Sequence, residues 1–458
     1  MKSLRFALVA LSSAVATGAL AVPPPLPLEW LADDAAENDK LAWDFTEGVT
    51  TEVGPRLAGS EAEARGRAFA VAWLKAHNFA NVHVEDFTIP GWERGEAQAE
   101  IVGPFAQPLT LAALGRSGAT PAKGITAEVV RFASFADLQA APAGSLAGKI
   151  AYISNSMQTT QDGSGYGFAG AGRFIGPAVA AGKGAVATVI KSIGTDHHRN
   201  PHTGGTTFRD VKPIPAAALS VPDAEQLDRI FERSGRNPVK MHLVLTPRSV
   251  GPRPSGNVVA DIVGSDPSLP PVILACHLDS WDLGTGAIDD GAGCGIIAAA
   301  ALQASKSDRP LRTIRLLLAG SEEPGGFGGD AFAKAHGDKP VAVALESDFG
   351  ADRVWRFKSN FATLNPDLHN RIAQAVARFG VSSVATPAGG GEDIDIAREQ
   401  KAGVIDLDQD GTRYFDLHHT PDDTLDKVDP VQLRQNVAVW TQVVGILANE
   451  RGTIRPAE

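Results

Sequence analysis

Cysteine is scarce in this chain, which has only two among 458 residues, Cys276 and Cys294. Two cysteines argue against a cysteine-rich secreted scaffold, and their spacing does not match a zinc site built on thiolates. They could pair with each other in an exported protein, but buried free thiols are the commoner state of isolated cysteines. The sequence leaves that choice open.

Positive charge and long apolar runs are also in short supply. The chain has 42 lysines and arginines against 53 acidic residues, and its net charge is -11. This balance argues against a nucleic-acid-binding protein, which normally shows a basic face. Beyond the N-terminus no apolar run is long enough to span a bilayer. The 43% apolar content suits a globular α/β protein, and the length predicts two or three domains.

The first 21 residues have the pattern of a cleavable signal peptide. Basic Lys2 and Arg5 precede an apolar core over residues 6–18, and residues 19–21 fit the small-x-small cleavage pattern. A membrane anchor would need a longer apolar segment. No cysteine lies near the cleavage site, which argues against a lipoprotein. We therefore predict an exported protein, secreted or periplasmic.

The mature sequence divides into three parts. Residues 22–102 are predicted to be the N-terminal part of a main domain that residues 251–458 complete, where apolar strands alternate with helices. Between them, residues 103–250 show short β-like runs and glycine-rich loops, which predicts an inserted β-rich domain. Residues 247–256, rich in proline and glycine, predict a linker. The fold class is α/β, with a mixed, mostly parallel sheet flanked by helices.

Apolar periodicity and turn residues place the individual elements. Ser60 and Glu63 predict a capping box at one helix start. Helices are predicted over residues 41–78 with a break at 54–60, 293–304, 329–335, 365–379 and 430–449. Strands are predicted over residues 82–89, 127–132, 149–153, 185–190, 257–262, 271–276, 313–319, 341–345 and 403–407.

Histidines and carboxylates recur at the ends of four apolar runs in the C-terminal part of the chain. Because open α/β sheets build their sites beyond the carboxyl ends of strands, we expect these residues to meet in one place. The clusters are His277-Leu-Asp279 followed by Asp289-Asp290, then Glu322-Glu323, Glu346-Ser-Asp348 and His418-His419.

Five of these residues supply the ligands for two metal ions. A pair of zinc ions a few Å apart needs a bridging carboxylate, and about one carboxylate and one imidazole for each ion. Ligands without thiolates still fit zinc. Asp279 can accept the other imidazole N–H of a ligating histidine, and Glu322 can take a proton from the nucleophilic water. The predicted ligands are His277, Asp289, Glu323, Asp348 and His419.

Each residue taken alone has a plainer interpretation. An isolated aspartate at a strand end is more often a helix cap. Glu322-Glu323 alone would be a solvated pair, and the His418-His419 pair alone would usually bind no metal. Only the joint arrangement favours a metal site.

The motifs resemble those of the zinc peptidases of family M28. They are H-x-D, G-A-x-D-D-x-x-G, S-E-E, E-S-D and H-H-T-x-x-D-T, and within the family the resemblance is greatest to the plasma glutamate carboxypeptidase branch. Nearly all of the mature chain is covered. Residues 54–60 match the family's N-terminal G-P-R-x-x-G-S, and the inserted region is similar to a protease-associated domain. The resemblance implies the zinc-dependent exopeptidase fold and metal-assisted peptide hydrolysis.

The resemblance also implies a role for each residue. His419 is preferred to His418 because the family ligand precedes Ser or Thr, and Asp348 is preferred to Glu346. The implied roles are Asp289 as the bridging ligand before a cis peptide to Asp290, His277 and Asp348 on one zinc ion, Glu323 and His419 on the other, Glu322 as general base, and Asp279 as the support of His277.

For the substrate, the resemblance implies small peptides with a free N-terminus, either dipeptides or the first residue of a longer peptide. Asp393 or Asp395, in a glycine-rich segment, is a candidate for binding the ammonium group, and a plain turn is equally consistent. Tyr414 is a candidate donor to the tetrahedral oxyanion, or else a packing residue. A homodimer is implied by analogy alone.

Two other functions stay open at this point. A glutaminyl cyclase-like enzyme shares the fold but binds one zinc through Asp, Glu and His, whereas the presence of both His277 and Asp348 favours two metals. A non-catalytic extracellular binding protein would not need Glu322. Metal content separates the three functions: two zinc ions for the peptidase, one for the cyclase and none for the binding protein.

Overall fold

The computed structural model describes residues 26–306 and 309–455. The predicted signal peptide, residues 1–21, lies outside the described residues. Within the described ranges, no helix combines the length and the apolar character needed to cross a membrane. The strands form two eight-stranded sheets.

The strands and helices are numbered in chain order. The strands are β1 (Ala80–Glu93), β2 (Ala97–Gly103), β3 (Gln107–Leu109), β4 (Leu111–Ala113), β5 (Ile125–Phe132), β6 (Ile150–Ile153), β7 (Ala187–Lys191), β8 (Ala216–Leu219), β9 (Lys240–Leu245), β10 (Arg248–Ile262), β11 (Val272–His277), β12 (Ile314–Ala319), β13 (Val343–Glu346), β14 (Val354–Ser359), β15 (Ser382–Ser383) and β16 (Gly403–Gln409). The helices are α1 (Leu28–Asn38), α2 (Leu41–Gly48), α3 (Glu61–Ala76), α4 (Phe135–Ala140), α5 (Ser164–Phe174), α6 (Gly176–Gly182), α7 (Val221–Ser234), α8 (Ala292–Ser305), α9 (Phe327–His336), α10 (Pro366–Ala377), α11 (Asp395–Glu399), α12 (Tyr414–Leu417) and α13 (Pro430–Ala448).

The first sheet has the strand order β1-β10-β12-β11-β13-β16-β14-β15. Its centre is parallel, from β12 through β11 and β13 to β16. Antiparallel pairs, β1 with β10, β10 with β12 and β16 with β14, lie toward the two edges. The predicted α/β fold with a mixed sheet is therefore confirmed. Strand β14, between α9 and α10, is one that the periodicity missed.

Helices cover both faces of this sheet. Along β11, Leu274 and Cys276 join the core that contains α8 and α13, whereas Ile273 and Ala275 join the core on the other face with α9 and α11. Because alternate side chains of a strand point to opposite faces, a strand covered on both sides is apolar throughout. The layers leave the carboxyl ends of the central strands free to carry polar groups.

The second sheet comes from the sequence between β1 and β10 and has the order β3-β2-β9-β5-β6-β7-β8-β4. It has hydrophobic cores of its own on its two faces, one around Tyr152 and Leu227 and the other around Leu114 and Ile190. The chain leaves the first sheet through β1 and returns through β10. These two strands pair antiparallel from Ala80 opposite Asp261 to Glu93 opposite Arg248.

The prediction of a linker over residues 247–256 is wrong, because residues 248–256 form the first part of β10. Pro252 and Pro254 lie opposite Pro90 and Thr88 of β1. The next strand, β12, pairs with β10 only from Val258 onward. The prolines therefore stand where the other side of the strand has no partner in the sheet, which is the position that a strand tolerates.

The prediction of glycine-rich loops is wrong for residues 163–184, most of which form α5 and α6. The glycines serve close packing here. A Cβ on Gly176 would lie 2.7 Å from Cδ1 of Ile153 in β6, and one on Gly172 would lie 3.1 Å from the Asn155 side chain. Helix propensity alone disfavours glycine, so tertiary contacts decide this segment.

Cys276 and Cys294 form a disulfide that closes a sequence separation of 18 residues. It joins the end of β11 to the first turn of α8. These two cysteines are therefore not free thiols.

Candidate metal centre and cavity

The loops that follow the parallel strands bring the predicted ligands together. Strand β11 ends at His277, which lies opposite Ala319, the last residue of β12. Glu322 and Glu323 follow β12 directly, and Asp348 lies two residues beyond the end of β13. His419 comes from the loop after α12, and Asp289 from the loop between β11 and α8. All of these side chains meet at one edge of the sheet, as expected for strand ends.

Four short contacts divide the predicted ligands into two groups. His277 Nε2 lies 2.9 Å from Asp289 Oδ1 and 3.3 Å from Asp348 Oδ1. His419 Nε2 lies 3.2 Å from Asp289 Oδ2 and 2.9 Å from Glu323 Oε2. Asp289 thus faces one imidazole with each carboxylate oxygen, which is the arrangement of a bridging ligand. Ligand atoms of His277, Asp289 and Glu323 also lie within 4.8 Å of one another, so the five side chains share one small volume.

The donor set fits zinc. Zn–N and Zn–O bonds of about 2.0 Å at the tetrahedral angle place neighbouring ligand atoms roughly 3.3 Å apart, close to the four contacts described above. Among the described residues, Glu323 Oε1 is buried without a hydrogen bond, and Asp289 Oδ2 and Asp348 Oδ1 are buried with an imidazole nitrogen 3.2 and 3.3 Å away. Buried carboxylate oxygens without donors are costly unless a cation neutralises them. These atoms are therefore suited to hold metal ions.

Burial and charge together set the pKa values of the site. Burial, reinforced by nearby acids, raises the pKa of Glu322 and that of Glu323 well above the usual value. Burial alone would raise the pKa of Asp289, but hydrogen bonds from His277 and His419 hold it well below its usual range. Burial lowers the pKa of His419 to about 4. Neutral imidazole and ionised carboxylate are the states that bind a metal.

The backbone carbonyl of Asp279 sets the orientation of His277. His277 Nδ1 lies 3.1 Å from that oxygen, which fixes the proton on Nδ1 and leaves Nε2 as a ligand atom. The Asp279 carboxylate is 3.8 Å from Nδ1 and accepts instead from the amides of Glu322 and Glu323, at 2.9 and 3.3 Å. The predicted contact of this carboxylate with the imidazole is thus replaced by one with the Glu322-Glu323 loop.

Asp290, which follows a cis peptide bond from Asp289, ties the ligand loop to the sheet. Its carboxylate accepts from the backbone N–H of His277 and from that of Gly293 in the first turn of α8, each at 3.2 Å. The helix-cap interpretation of the Asp-Asp pair therefore describes Asp290, while Asp289 faces the imidazoles.

Arg56 supports the site, a role that was not predicted from the sequence. Its guanidinium is fully buried and donates to the backbone carbonyls of Leu278, Thr285 and Gly286 at 2.6, 2.5 and 2.9 Å. These carbonyls belong to the loop between His277 and Asp289. The only available signal was the G-P-R-x-x-G-S motif, which shows a resemblance but no contact.

Asp423, the last aspartate of H-H-T-x-x-D-T, holds the same loop from the other side. Its Oδ1 accepts from the Ile288 N–H at 2.6 Å, next to Asp289. Burial raises the pKa of Asp423 to about 7, and the Asp289 charge adds to this effect. Arg56 and Asp423, which are far apart in the sequence, therefore both hold the loop that carries Asp289.

Trp281 and Asp282 connect the ligand loop to the second sheet. The buried Arg94, just after β1, forms an ion pair with Asp282 at 2.6 Å and stacks over the Trp281 ring. Gly115 of the inserted region lies so close to Trp281 that a Cβ there would clash with the indole. Asp282 is therefore an anchor for the inserted region.

A cavity of about 560 Å³ opens beside the metal centre. Its size suits a small-molecule or short-peptide ligand. The catalytic sheet and the inserted region both line it. The catalytic side contributes Asp289, Glu322, Glu323, Asp348, Glu392, Tyr414, His418 and His419, and the inserted region contributes Arg116, Tyr166, Arg173, Phe174, Thr206 and Thr207.

The structure separates the two candidates in the glycine-rich segment from the cavity. Asp393 is 1% exposed and does not line it, whereas its neighbour Glu392 does. The backbone N–H of Asp393 donates to Glu346 at 2.9 Å, and burial raises the pKa of Glu346 to about 8. Asp395 begins α11 and pairs with Arg398. Neither Asp393 nor Asp395 lines the cavity in this structure, and their role in binding the ammonium group stays a prediction.

Tyr414 and His418 both line the cavity. Burial raises the pKa of the Tyr414 hydroxyl well above its usual value, so that it stays protonated and can donate. His418 Nε2 is 3.9 Å from Asp289 Oδ2, farther than His419, and its ring stacks on the His419 ring at 3.4 Å. The geometry thus favours His419 as the ligand and His418 as its packing neighbour.

Comparison with known proteins places this chain in a family. The model of peptidase family M28 matches residues 257–444. Carboxypeptidase Q of Mus musculus is 34% identical over 403 residues, covering 87% of this chain and 83% of the relative. The chain belongs to peptidase family M28. Carboxypeptidase Q of Bos taurus, another similar relative, is 34% identical over 401 residues with the same coverage.

Solved structures agree with the M28 assignment. A peptidase M28 precursor from Shewanella amazonensis SB2B has 43% identity and a TM-score of 0.89, over 94% of this chain and 98% of that one. A zinc aminopeptidase from Bacillus subtilis has 20% identity and a TM-score of 0.65, over 88% and 93%, and shares the fold. The chain is thus an M28 metallo-exopeptidase related to carboxypeptidase Q, in a zinc-dependent family.

Proposed function

We propose that this M28 enzyme is exported and uses two zinc ions to hydrolyse dipeptides or to remove the N-terminal residue of small peptides. The observation that carries the proposal is the division of five predicted ligands into two groups that share Asp289. Each group adds one imidazole and one further carboxylate. The cavity beside them is large enough for a short peptide.

His277, Asp348 and Asp289 would hold one zinc ion, and His419, Glu323 and Asp289 the other. Zinc, when bound, would supply Lewis acidity that polarises the scissile carbonyl and lowers the pKa of a water, so that the water can lose a proton and become a nucleophile at neutral pH. The open cavity beside both groups leaves room for the peptide and the water.

Glu322 is the proposed general base. Its backbone N–H is held by the Asp279 carboxylate at 2.9 Å, whereas its own carboxylate lines the cavity and has no hydrogen bond to another described residue. It would take a proton from the attacking water and return it to the amine nitrogen as the peptide bond breaks. Tyr414, protonated at neutral pH, would donate its O–H to the oxygen of the tetrahedral intermediate.

The free N-terminus of the substrate would bind to Glu392. This side chain lines the cavity, and its charge adds to the effect of burial in raising the pKa of the Asp348 carboxyl. Asp393, one of the two candidates from the sequence, is its buried neighbour. An ammonium group at this end places the first peptide bond beside the metal centre.

Export and the nature of the inserted region belong to the same proposal. The disulfide between Cys276 and Cys294 is typical of an oxidising compartment, secreted or periplasmic, and agrees with a signal peptide over residues 1–21. Residues 103–250 are proposed to be a protease-associated-like domain, supported by a separate eight-stranded sheet with its own cores. A homodimer stays a prediction by analogy.

Metal analysis combined with a substrate panel tests the proposal. We expect the purified mature protein to contain two zinc ions, to cleave dipeptides or aminoacyl substrates, and to lose activity with a chelator and regain it with zinc. One zinc ion with glutaminyl cyclisation, or no metal and no turnover, would contradict it.

His419→Ala and His418→Ala form a matched pair for the ligand assignment. The adjacent rings are similarly buried, but only His419 has close contacts to two ligand carboxylates. We expect His419→Ala to lose about one zinc ion per chain and His418→Ala to keep both. The reverse result would exchange their roles.

A further inference from the structure

We propose that the loop between β7 and β8 of the inserted region positions His419, so that binding of one of the two zinc ions depends on the inserted region. This inference rests on the proposed two-zinc function and deepens it. The ion concerned is the one that Glu323 and His419 would hold. The other ion, beside His277, would be supported by the catalytic sheet and the loops around it.

The backbone of His419 is strained. Its φ is 61°, in the left-handed region that residues other than glycine rarely adopt. His419 lies in a turn after α12, outside any strand or helix. A strained conformation persists only where the surrounding contacts hold it. The position of this ligand therefore depends on what its backbone contacts.

Hydrogen bonding at the far ring nitrogen differs between His277 and His419. Nδ1 of His277 faces the Asp279 carbonyl at 3.1 Å, an acceptor that fixes the orientation of the ring. Nδ1 of His419 faces Nη1 of Arg173 at 3.4 Å, and a guanidinium offers no acceptor. The ring of His419 is thus oriented mainly through the chain that carries it.

Thr203, in the loop between β7 and β8, holds the backbone of His419. Its N–H and its hydroxyl both donate to the His419 carbonyl, at 3.2 and 3.3 Å. Arg173 of α5 donates to the Thr203 carbonyl at 3.0 Å. Thr203 is fully buried, which strengthens these bonds because little water competes for them. The inserted region therefore binds the carbonyl of the ligand residue itself.

Gly204 allows the two chain segments to come this close. A Cβ at this position, where φ is +107°, would lie 2.6 Å from His419 Nδ1 and closer still to Arg173 Nη1. Glycine adopts such a φ without strain and leaves the space that this approach needs. A side chain here would therefore push the loop away from His419.

The loop is itself anchored to the second sheet. The hydroxyl of Ser192, next to β7, donates to the Leu219 carbonyl of β8 at 2.6 Å and accepts from the His202 N–H at 2.8 Å. The Gly115 N–H donates to the Gly204 carbonyl at 2.9 Å. The residue between these two anchors therefore keeps the position that the second sheet gives it.

The same loop also binds the helix before His419. Asp416 of α12 accepts from the N–H and the hydroxyl of Thr195, at 2.5 and 2.8 Å, and from the Asp196 N–H at 3.1 Å. A Cβ on Gly194 would lie 3.1 Å from Asp416 Oδ1, so the loop passes close to this carboxylate. Hydrogen bonds to a carboxylate are roughly twice as strong as neutral ones. Two separate parts of one loop thus hold the segment that carries His419.

The support of the two imidazoles is therefore divided between two parts of the chain. His277 ends a strand of the catalytic sheet and contacts Asp279 and Asp290, which follow it closely in sequence. His419 is held by Thr203, which lies 216 residues before it. Loss of an outer contact of a metal ligand typically lowers metal affinity by about 10- to 100-fold. Loosening the inserted region should therefore release one zinc ion before the other.

Gly204→Ala tests this arrangement, with Gly144→Ala as control. Gly144 is an exposed glycine of the same region, also at positive φ (+74°), and a Cβ there would meet nothing within 4 Å. Zinc affinity would be measured on the purified mature protein by competition with a chromogenic chelator. For Gly204→Ala we expect one zinc ion to bind about 10- to 100-fold more weakly and the other to keep its wild-type affinity. The control should bind both ions as the wild type does.

Asp416→Ala tests the second contact of the loop without altering a glycine. Its control is Asp426→Ala, an exposed aspartate bonded within its own segment to Thr424 and Lys427. We expect Asp416→Ala to weaken one zinc ion by about 10-fold and Asp426→Ala to weaken neither, while Asp416→Asn, which keeps an acceptor, recovers part of the affinity. Thermal melting of the metal-free proteins shows whether each variant is folded, and Asp416→Ala decides the question if Gly204→Ala does not fold.

Combining Gly204→Ala with ligand variants identifies which ion is affected. Added to His419→Ala, it should change the affinity of the remaining zinc ion by less than about 3-fold, because the ligand that it positions is already gone. Added to His277→Ala, it should weaken the remaining ion as strongly as in the otherwise unchanged protein. Coupling to one ligand alone indicates a positioning role, since a general loss of stability would affect both backgrounds.

The outcomes separate this inference from the proposed function. A folded Gly204→Ala variant, or Asp416→Ala in its place, that binds both zinc ions as the wild type does overturns the positioning role and leaves the peptidase intact. A variant that loses both ions in parallel overturns it as well. A folded wild type that binds fewer than two zinc ions overturns the proposed function itself.

Discussion

Replacing Arg56 by methionine should both destabilise the protein and weaken its metal centre. The side chain is fully buried and donates to three backbone carbonyls of the loop between His277 and Asp289. Methionine fills a similar volume but donates nothing. Each buried carbonyl left without its donor costs about 1–3 kcal/mol, although such costs do not add fully. Removing one member of a buried charged network costs about 3–5 kcal/mol, so we expect a loss of about 4 kcal/mol.

Thermal melting, zinc content and dipeptidase rate measure the effect together. A loss of about 4 kcal/mol corresponds to a fall in Tm of about 10 °C for a cooperative unit of about 200 residues. Zinc content after dialysis should fall, because the loop that presents Asp289 loses its support. Arg56→Lys should be intermediate, since an ammonium group keeps the charge but cannot reach three carbonyls in a plane.

Arg65→Met is the matched control, an exposed arginine on α3 that should shift stability by less than about 0.5 kcal/mol. If Arg56→Met melts within about 2 °C of the wild type and retains both zinc ions, the loop is held by other contacts, and the reasoning from buried carbonyl partners is refuted.

Three further predictions concern catalysis, the disulfide and the inserted region. Glu322→Gln should keep its zinc yet lose about 10²–10⁴-fold in kcat, the usual contribution of a general base; retained activity in a metal-replete variant would exclude this role. Replacing Cys276 and Cys294 by alanine should lower the free energy of unfolding by about 3 kcal/mol, as expected for a closed loop of this length. Denaturant titration measures the change, and an unchanged midpoint would show that the disulfide does not stabilise the protein. Asp282→Ala leaves the buried Arg94 without its acidic partner and should lower stability by about 2 kcal/mol, which is less than for a fully buried pair because the aspartate is partly exposed. Limited proteolysis would show whether the inserted region detaches, and an unchanged cleavage pattern would argue against an anchoring role.

Strong periodicity made the catalytic sheet predictable from the sequence. Strand β11 and helix α8 lie where the apolar runs predict them, because both are buried and neither contains a proline. The five predicted ligands meet in space because carboxyl ends of parallel strands share one edge. The types of the ligand residues suggest that one carboxylate bridges two metals, but they do not determine which one. The position of Asp289 between two imidazoles depends on the tertiary structure.

The wrong predictions of a linker and of a loop have a common physical cause. Contacts with neighbouring segments of the chain outweigh the conformation that the local sequence prefers. The prolines of β10 predicted a linker, but one side of that strand has no partner there and tolerates them. The glycines of α5 predicted a loop, although they allow a helix to pack closely on β6. Arg56 stands in a motif whose contacts the sequence does not show, because an arginine becomes a structural residue only through what the fold places around it.

The register of β1 and β10 has a consequence for how this enzyme could be taken apart. Glu93 at the end of β1 lies directly opposite Arg248 at the start of β10. The chain therefore enters and leaves the inserted region at two neighbouring residues of one antiparallel strand pair. A two-residue turn such as Asn-Gly could close that ribbon in place of residues 94–247. All five predicted ligands and Glu322 lie outside the excised segment. The shortened protein would keep all of these residues but lose the wall of the cavity that the inserted region provides.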